Sequence, residues 1–236
     1  MDLALFSLGP TGWGDELIAG LDLTLRLAVT AIIAGTALGL VSALGEIAPV
    51  PLLGRLLETI NMVLRSVPEL LVIFLIYYGA AIALAALLAP FGFSGFLEIN
   101  RFWSGVLALA LIHAAYASEV FRGAFLAIPA GQIDAARAFG MSPLLVFFRI
   151  RLPLAFRLAM PGLTNLVMTT LKSTPLVSAI GLQDLIRVAG DAGQNTKEFF
   201  QFYMATLVIY LGIAAVVLLL QTRSERRLFR HLRVGR

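Results

Sequence analysis

Charged residues divide this chain into long uncharged runs, and those runs restrict what it can fold into more than any other feature. Between successive charges lie 19 residues at 27–45, 28 at 70–97, 17 at 102–118, 14 at 158–171 and 24 at 199–222. A helix needs about 20 apolar residues to cross the hydrocarbon layer, so four runs meet or approach that length. The fourth reaches 19 residues when extended over Arg157 to 154–172, because Arg157 and Lys172 can carry their charges toward head groups on long stems. Composition agrees: 59% of the residues are apolar and 14% charged, with mean hydropathy +0.91, against about 45–50% and about 25% in an ordinary soluble domain. Disordered, collagen-like and nucleic-acid-binding chains are excluded. The absence of cysteine excludes a disulfide framework, a thiolate zinc site and a cysteine nucleophile. The expectation is an all-α membrane protein, one transmembrane domain over 1–236, with five spans at about 24–45, 56–88, 102–120, 154–172 and 199–222.

With five spans the termini lie on opposite sides, and the cations choose which. Thirteen arginines fall on one side: Arg55, Arg65, Arg122, Arg137, Arg149, Arg151, Arg157 and six in the tail from Arg223 to Arg236. Arg26, Arg101, Lys172, Arg187 and Lys197 fall on the other. The N-terminus is therefore expected outside and the C-terminus in the cytoplasm, with the arginine tail as topology anchor and anionic-lipid contact. Four acids precede the first cation, Arg26, so the start lacks the charged region of a signal peptide and the first helix is expected to be retained.

Two connections are too long to be turns. In the inner one, 119–153, Ile133, Ala136 and Phe139 share a helical face, Gly140 supplies a stop and Pro143 opens another short helix. This predicts a folded element at about 123–153. The outer one, 172–198, places Leu176 and Ile180 at helical spacing before the polar stretch 191–198, which predicts a short helix lying on the outer surface. Ala31, Gly35 and Gly39, four residues apart, form a stripe for close helix packing.

The most specific pattern lies in the inner connection: Asp134-Ala135-Ala136, three residues, Gly140, nine residues, Ile150, one residue, Leu152-Pro153. A small Ala-Ala face ended by glycine makes a slim helix that can seat in a cleft of another protein, and Asp134 is spaced to pair with Arg137. The pattern resembles the E-A-A, x3, G, x9, I-x-L-P loop of ABC-importer permeases, with Asp134 in place of the usual glutamate. Three further blocks resemble the polar amino-acid branch of that family: Arg65-Ser66-Val67-Pro68-Glu69, Tyr116-x-x-Glu119-x-x-Arg122-Gly123-Ala124, and Leu171-Lys172-Ser173-Thr174-Pro175-Leu176-Val177-Ser178 followed by Gly181-Leu182-x-Asp184-Leu185. Within the branch the chain is most similar to the Q-type subunit of histidine/lysine/arginine/ornithine and opine importers, from about Gly20 to about Arg223. Pro175 departs from the small residue expected there.

The resemblance implies a coupling helix that docks on an ATPase dimer, a second permease subunit (an M-type chain or a second copy), an extracytoplasmic amino-acid-binding protein, and a bacterial inner-membrane location. The chain itself carries no nucleotide motif, no cofactor and no paired metal ligands, since His113 and His231 are its only histidines. ATP and Mg²⁺ are expected in the partner ATPase. Coupling is expected at Asp134, Ala135, Ala136, Arg137, Gly140, Ile150, Leu152 and Pro153.

Arg65 and Glu69 lie four apart, at the inner end of the second span, and admit an internal ion pair. Pro68 between them frees backbone that can instead face a substrate cavity, as broken helices do in other transporters. Arg65, Ser66, Pro68, Glu69, Tyr77, Tyr78, Lys172 and Ser173 are the candidate translocation path, and Glu69 with the outer acids favours a cationic substrate. Tyr116, Glu119 and Arg122 are expected to brace the coupling loop. His113 reads as a hydrogen-bonded packing residue, while Asn165 leaves both packing and path open.

Two other classes share some of these features. Gly12-Trp13-Gly14-Asp15 spells a string found in intramembrane aspartyl proteases, but Asp15 precedes the first span and none of the uncharged runs holds a second aspartate for a dyad. His113 lacks a nucleophile-elbow motif. A stand-alone secondary transporter or channel calls for inverted repeats or an acidic proton relay, and neither is visible. The chain is therefore expected not to be an enzyme but the membrane subunit of an ATP-driven importer of polar, cationic amino acids or opines.

Overall fold

The computed structural model describes residues 3–9, 12–91 and 99–228, which form helices and turns with no strand among them. Nine α-helices follow in order: α1 (Gly14–Glu46), α2 (Pro51–Ser66), α3 (Glu69–Leu88), α4 (Arg101–Leu126), α5 (Ala130–Ala138), α6 (Pro143–Val146), α7 (Leu152–Ser173), α8 (Leu185–Thr196) and α9 (Phe199–Leu228). α1, α3, α4 and α9 are long and apolar enough to cross a membrane. α7 has 22 residues and carries Arg157, Lys172 and an internal Pro161.

Helix boundaries follow local chemistry. Asp15 and Glu16 occupy the first turn of α1, where carboxylates suit the helix dipole. Pro51 opens α2, its missing N–H costing nothing at that position. Val67 before Pro68 is extended (φ −87°, ψ 138°), as a residue before proline prefers, so α2 stops and α3 begins at Glu69. The second span expected at 56–88 is thus not one helix: the uncharged run begins in α3, while α2 is a separate amphipathic helix. The end of that run, 92–97, lies outside the described residues. Between α6 and α7, residues Phe147–Arg151 form a π turn. That widening accommodates Pro153, whose ring would clash with the carbonyl four residues back.

α1 and α4 run parallel and in register. Thr36 meets His113, Gly39 meets Ala117, and Glu46 meets Arg122. The small residues expected to make a contact face do so: a Cβ on Gly35 would sit 2.7 Å from the Ala110 carbonyl oxygen, and one on Gly39 would sit 2.6 Å from Ala117 Cβ. α7 lies antiparallel on α4, with Phe156 against Phe121 and Thr170 against His113. Three apolar clusters fill the body. One joins α1, α3 and α4 to residues 177–182; another joins α4 and α7 at the α5 end; the third joins α1, α8 and Phe202 at the opposite end.

The connection 172–198 differs from the surface helix expected there. After Ser173 the chain makes a buried 3-10 helix over Thr174–Ile180, turns at Gly181 (φ +85°), and enters α8, which Asp184 caps by accepting from the Ile186 and Arg187 N–H groups. Val177, Ile180, Leu185, Val188, Ala189 and Ala192 are all buried. The 3-10 helix buries Thr174, Val177 and Ile180, and α8 turns one apolar stripe (Leu185, Val188, Ala189, Ala192) toward the body with the Arg187–Asp191 pair on its outer side. The tail residues Arg230, His231, Arg233 and Arg236, expected to contact lipid, lie outside the described residues.

Candidate functional site

The break between α2 and α3 places Glu69, the first residue of α3, beside the middle of α4. There it lines a narrow cleft with Leu109, Ile112, His113 and Tyr116 of α4 and Leu166, Thr169, Thr170 and Ser173 of α7. The cleft therefore combines a carboxylate, a phenol, an imidazole and three aliphatic hydroxyls with an apolar wall. His113 is buried, with its Nε2 3.0 Å from the Thr36 hydroxyl and its Nδ1 2.7 Å from that of Thr170. It ties α1, α4 and α7 together, the packing role expected of it, while also forming part of the cleft wall.

Of the residues expected along the path, Glu69 and Ser173 meet in this cleft. Ser173 also donates its hydroxyl hydrogen to the Thr169 carbonyl. Pro68 caps α3 just before them. Tyr77 packs partly buried against an apolar cluster, and Tyr78 is exposed with its ring 4.9 Å from that of Tyr77; neither lines the cleft. Lys172 and Ser66 are exposed on other faces, and Asn165 is exposed with its carbonyl accepting from Thr169. Tyr116, expected to brace the coupling loop, is a cleft residue.

Arg65 does not pair with Glu69. The extended residue at Val67 turns the chain between them, and the Arg65 guanidinium donates to Glu119 Oε2 at 2.6 Å. Glu119 and Arg122 likewise do not reach α5. Arg122 contacts Glu119 at 3.4 Å and Glu46, the last residue of α1, also at 3.4 Å. Glu46 is the residue missed in the sequence: its side chain is only 7% exposed, and its Oε1 accepts from Asn61 Nδ2 at 2.7 Å and from the Ser118 hydroxyl at 2.6 Å. Asn61 also donates to the Ser42 hydroxyl at 2.7 Å. At the end of an uncharged run Glu46 passes for a boundary charge; the available signal was that Ser42 and Glu46 share one helical face.

α5 follows α4 after a short turn. Ala136 is buried and Ile133 partly buried against α4 and α7, whereas Asp134, Ala135 and Arg137 are exposed, with no ion pair between Asp134 and Arg137 among the described residues. The helix closes on Gly140 at φ +79°, with Met141 N–H bonding the Ala136 carbonyl and Gly140 N–H bonding that of Arg137. This is a Schellman stop that glycine permits. Phe139 leaves the face expected for it: past the last helical turn, its ring is 89% exposed. Pro143 opens α6 with Ser142 as cap, Ile150 and Leu152 are half-buried in the following turns, and Pro153 is exposed. The result is a short, largely exposed helical hairpin presenting small, apolar and charged groups together.

The chain matches the family of binding-protein-dependent transport system inner membrane components over residues 35–230. It belongs to that family. As a member it is a membrane-embedded permease subunit of an ABC importer, not an enzyme, with ATP hydrolysis in a separate subunit. The nopaline transport system permease protein NocQ of Agrobacterium fabrum is 40% identical over 217 residues, covering 92% of both chains. The octopine transport system permease protein OccQ of Rhizobium meliloti is 36% identical over 99% of this chain and 98% of its own. The histidine/lysine/arginine/ornithine transport system permease protein HisQ of Escherichia coli is 38% identical over 87% and 90%. Among solved structures, an amino acid ABC transporter with histidines superposes with a TM-score of 0.77 at 31% identity, covering 91% of this chain and 95% of the other. The MetNI methionine ABC transporter, inward facing, shares the fold at a TM-score of 0.70 and 19% identity, with coverage of 90% and 96%.

Proposed function

We propose that this permease imports cationic amino acids or their opine conjugates, handed over by an extracytoplasmic binding protein, and that Glu69 meets the substrate's positive group in transit. The observation that carries this reading is the half-buried Glu69 carboxylate at a helix break, facing a hydroxyl-lined cleft halfway along α4. A carboxylate away from bulk water attracts a cation more strongly than one in water, and hydroxyls can hold an amino acid's polar ends. Relatives named for nopaline, octopine and histidine/lysine/arginine/ornithine transport agree in chemistry, since those substrates carry cationic groups.

In this reading five helices cross the bilayer, α7 being the fifth, with the N-terminus outside and the arginine-rich C-terminus in the cytoplasm. The hairpin from Asp134 through Pro153 is the coupling element: Asp134, Ala135, Ala136, Arg137 and Gly140 form the part that seats in the ATPase dimer, and Ile150, Leu152 and Pro153 tie it to α7. Closure of the ATPases on ATP moves the hairpin, and the bundle passes between inward- and outward-open states because the partners bind those states differently. A second permease, similar or identical, completes the membrane unit.

Reconstitution tests this directly. The permease is placed in proteoliposomes with its ATPase and binding protein, and uptake of L-arginine, L-histidine, nopaline and octopine is compared with that of L-glutamate. ATP-dependent uptake of the four compounds that carry a guanidinium or imidazole group is expected, and Glu69→Gln is expected to lower it about tenfold or more while the ATPase still co-purifies. Equal uptake by Glu69→Gln, or a preference for L-glutamate, would overturn the reading.

A further inference from the structure

We propose that Glu46, Asn61, Arg65, Glu119 and Arg122 form a latch: they hold α2 in its present position, and the latch must open and re-form in every transport cycle for Glu69 to move. These are positioning residues; none of them lines the cleft. The proposal rests on the reading of Glu69 given above.

The first reason is the character of the α2 interface. Its one buried residue is Asn61, an amide, while Leu52, Leu56, Ile60 and Val63 face outward. α2 is thus held to the body by polar contacts and, on the apolar side, by Leu57 set against Gly45 of α1. Hydrogen bonds and ion pairs are directional and contribute modest net stability, yet they penalise any position that leaves a buried member without a partner. Such a contact favours discrete positions over gradual sliding.

The second reason is the order of the charges. Glu46, Arg122, Glu119 and Arg65 alternate in sign along one continuous chain, with contacts of 3.4, 3.4 and 2.6 Å. Asn61 Nδ2 bonds both Ser42 and Glu46, which fixes α2 to the last turn of α1. Each charge has an opposite charge as neighbour, so α2 cannot shift without exchanging partners.

The third reason is placement. Glu119 and Arg122 lie in the last two turns of α4, which leads within a few residues into α5. Arg65 lies at the end of α2, four residues before Glu69 and across the Val67–Pro68 break. Displacement of the α5 hairpin pulls first on the end of α4 that carries Glu119 and Arg122. Through Arg65 the same pull reaches the residue pair that sets the direction of α3 and hence the position of Glu69.

The chain has no cysteine, so Gly45→Cys and Leu57→Cys, which face each other across the α1–α2 contact and are not latch residues, can be introduced as a clean pair and joined by mild oxidation or a short bis-thiol reagent in the reconstituted complex. The cross-link is expected to form in the resting state, to reduce ATP-driven L-arginine uptake at least about tenfold, and to be reversed by reduction. Full uptake with the cross-link intact overturns the proposal, and so does failure of the pair to cross-link, since α2 would then lie elsewhere. Charge exchange supplies the second arm. Arg65→Glu and Glu119→Arg, each alone, are expected to lower uptake per ATP hydrolysed about tenfold, the scale of a 1.4 kcal/mol coupling, and the double exchange, which restores the 65–119 pair while Arg122 keeps only Glu46, is expected to recover part of it. A double variant no better than the singles, or singles with unchanged uptake per ATP, contradicts the latch. Absence of uptake by the unmodified complex under the same conditions would instead count against the substrate reading, which keeps the two failures apart.

Discussion

α1 makes two interfaces of opposite kinds within a few turns of each other. Against α4 it presents Ala31, Gly35, Gly39 and Ala43, so the backbones approach closely and a methyl group at Gly35 or Gly39 has no room. Against α2 it presents Ser42 and Glu46, which meet an amide, with a single small-residue contact, Gly45 on Leu57, beside them. Close packing of small residues gains dispersion along its whole length and tolerates no shift, because every displacement opens voids or creates clashes. The polar interface has few contacts, each replaceable by an equivalent one elsewhere. The lesson is a division of labour: α1 and α4 form the frame, and α2 with α3 is the element mounted on it.

The largest effect should come from attacking the frame. Gly35→Leu drives a side chain into the Ala110 carbonyl and His113, and should destabilise by about 3 kcal/mol or more, read as a large drop in melting temperature and loss of monodisperse protein in detergent. Next comes the buried cap of α8. Burial pushes the Asp184 carboxyl up to about 6, against the capping N–H groups that favour its charge. The folded state therefore binds this proton more tightly than the unfolded chain. The contribution is present below about pH 4 and is lost as pH rises through about 6, on the order of 3 kcal/mol in all. A melting temperature that falls over this range and flattens in Asp184→Asn is the expected result. Asn61→Ala strikes the polar interface, leaving Glu46 and Ser42 each one hydrogen bond short at about 1–3 kcal/mol; the melting temperature should fall less than for Gly35→Leu. Arg26→Ala removes an exposed pair with Asp22 and should change the melting temperature immeasurably. A shift as large as that of Asn61→Ala would mean that burial does not separate the two kinds of contact.

Much of this was legible in the residues. The uncharged runs marked the long helices, the Ala31/Gly35/Gly39 stripe announced a close contact, and Gly140 and Pro143 marked the end of α5 and the start of α6. The failures have one physical origin, since local spacing reports neighbours within one helix only. Arg65 seemed matched to Glu69 at four residues, yet the proline break turned the chain and gave it a partner 54 residues away. Tyr116, Glu119 and Arg122 form one sequence block, yet a turn of helix sends the tyrosine to the cleft and the charges to α1 and α2. Glu46 was hidden because its partners arrive from two other helices. In 172–198 the spacing of Leu176 and Ile180 suggested one α-helix, whereas Gly181 at φ +85° divides the connection into a 3-10 helix and α8, whose own apolar stripe starts only at Leu185.

The frame and the mounted element can be separated by one measurement. Spin labels are placed on Met62→Cys and Leu126→Cys in one sample and on Val41→Cys and Leu126→Cys in another; all three positions are exposed. Distances are then recorded in the reconstituted complex without nucleotide and with ATP trapped. The account predicts that the α2–α4 distance changes between the two states while the α1–α4 distance stays fixed. An unchanged α2–α4 distance, or an α1–α4 distance that moves as far, would contradict it.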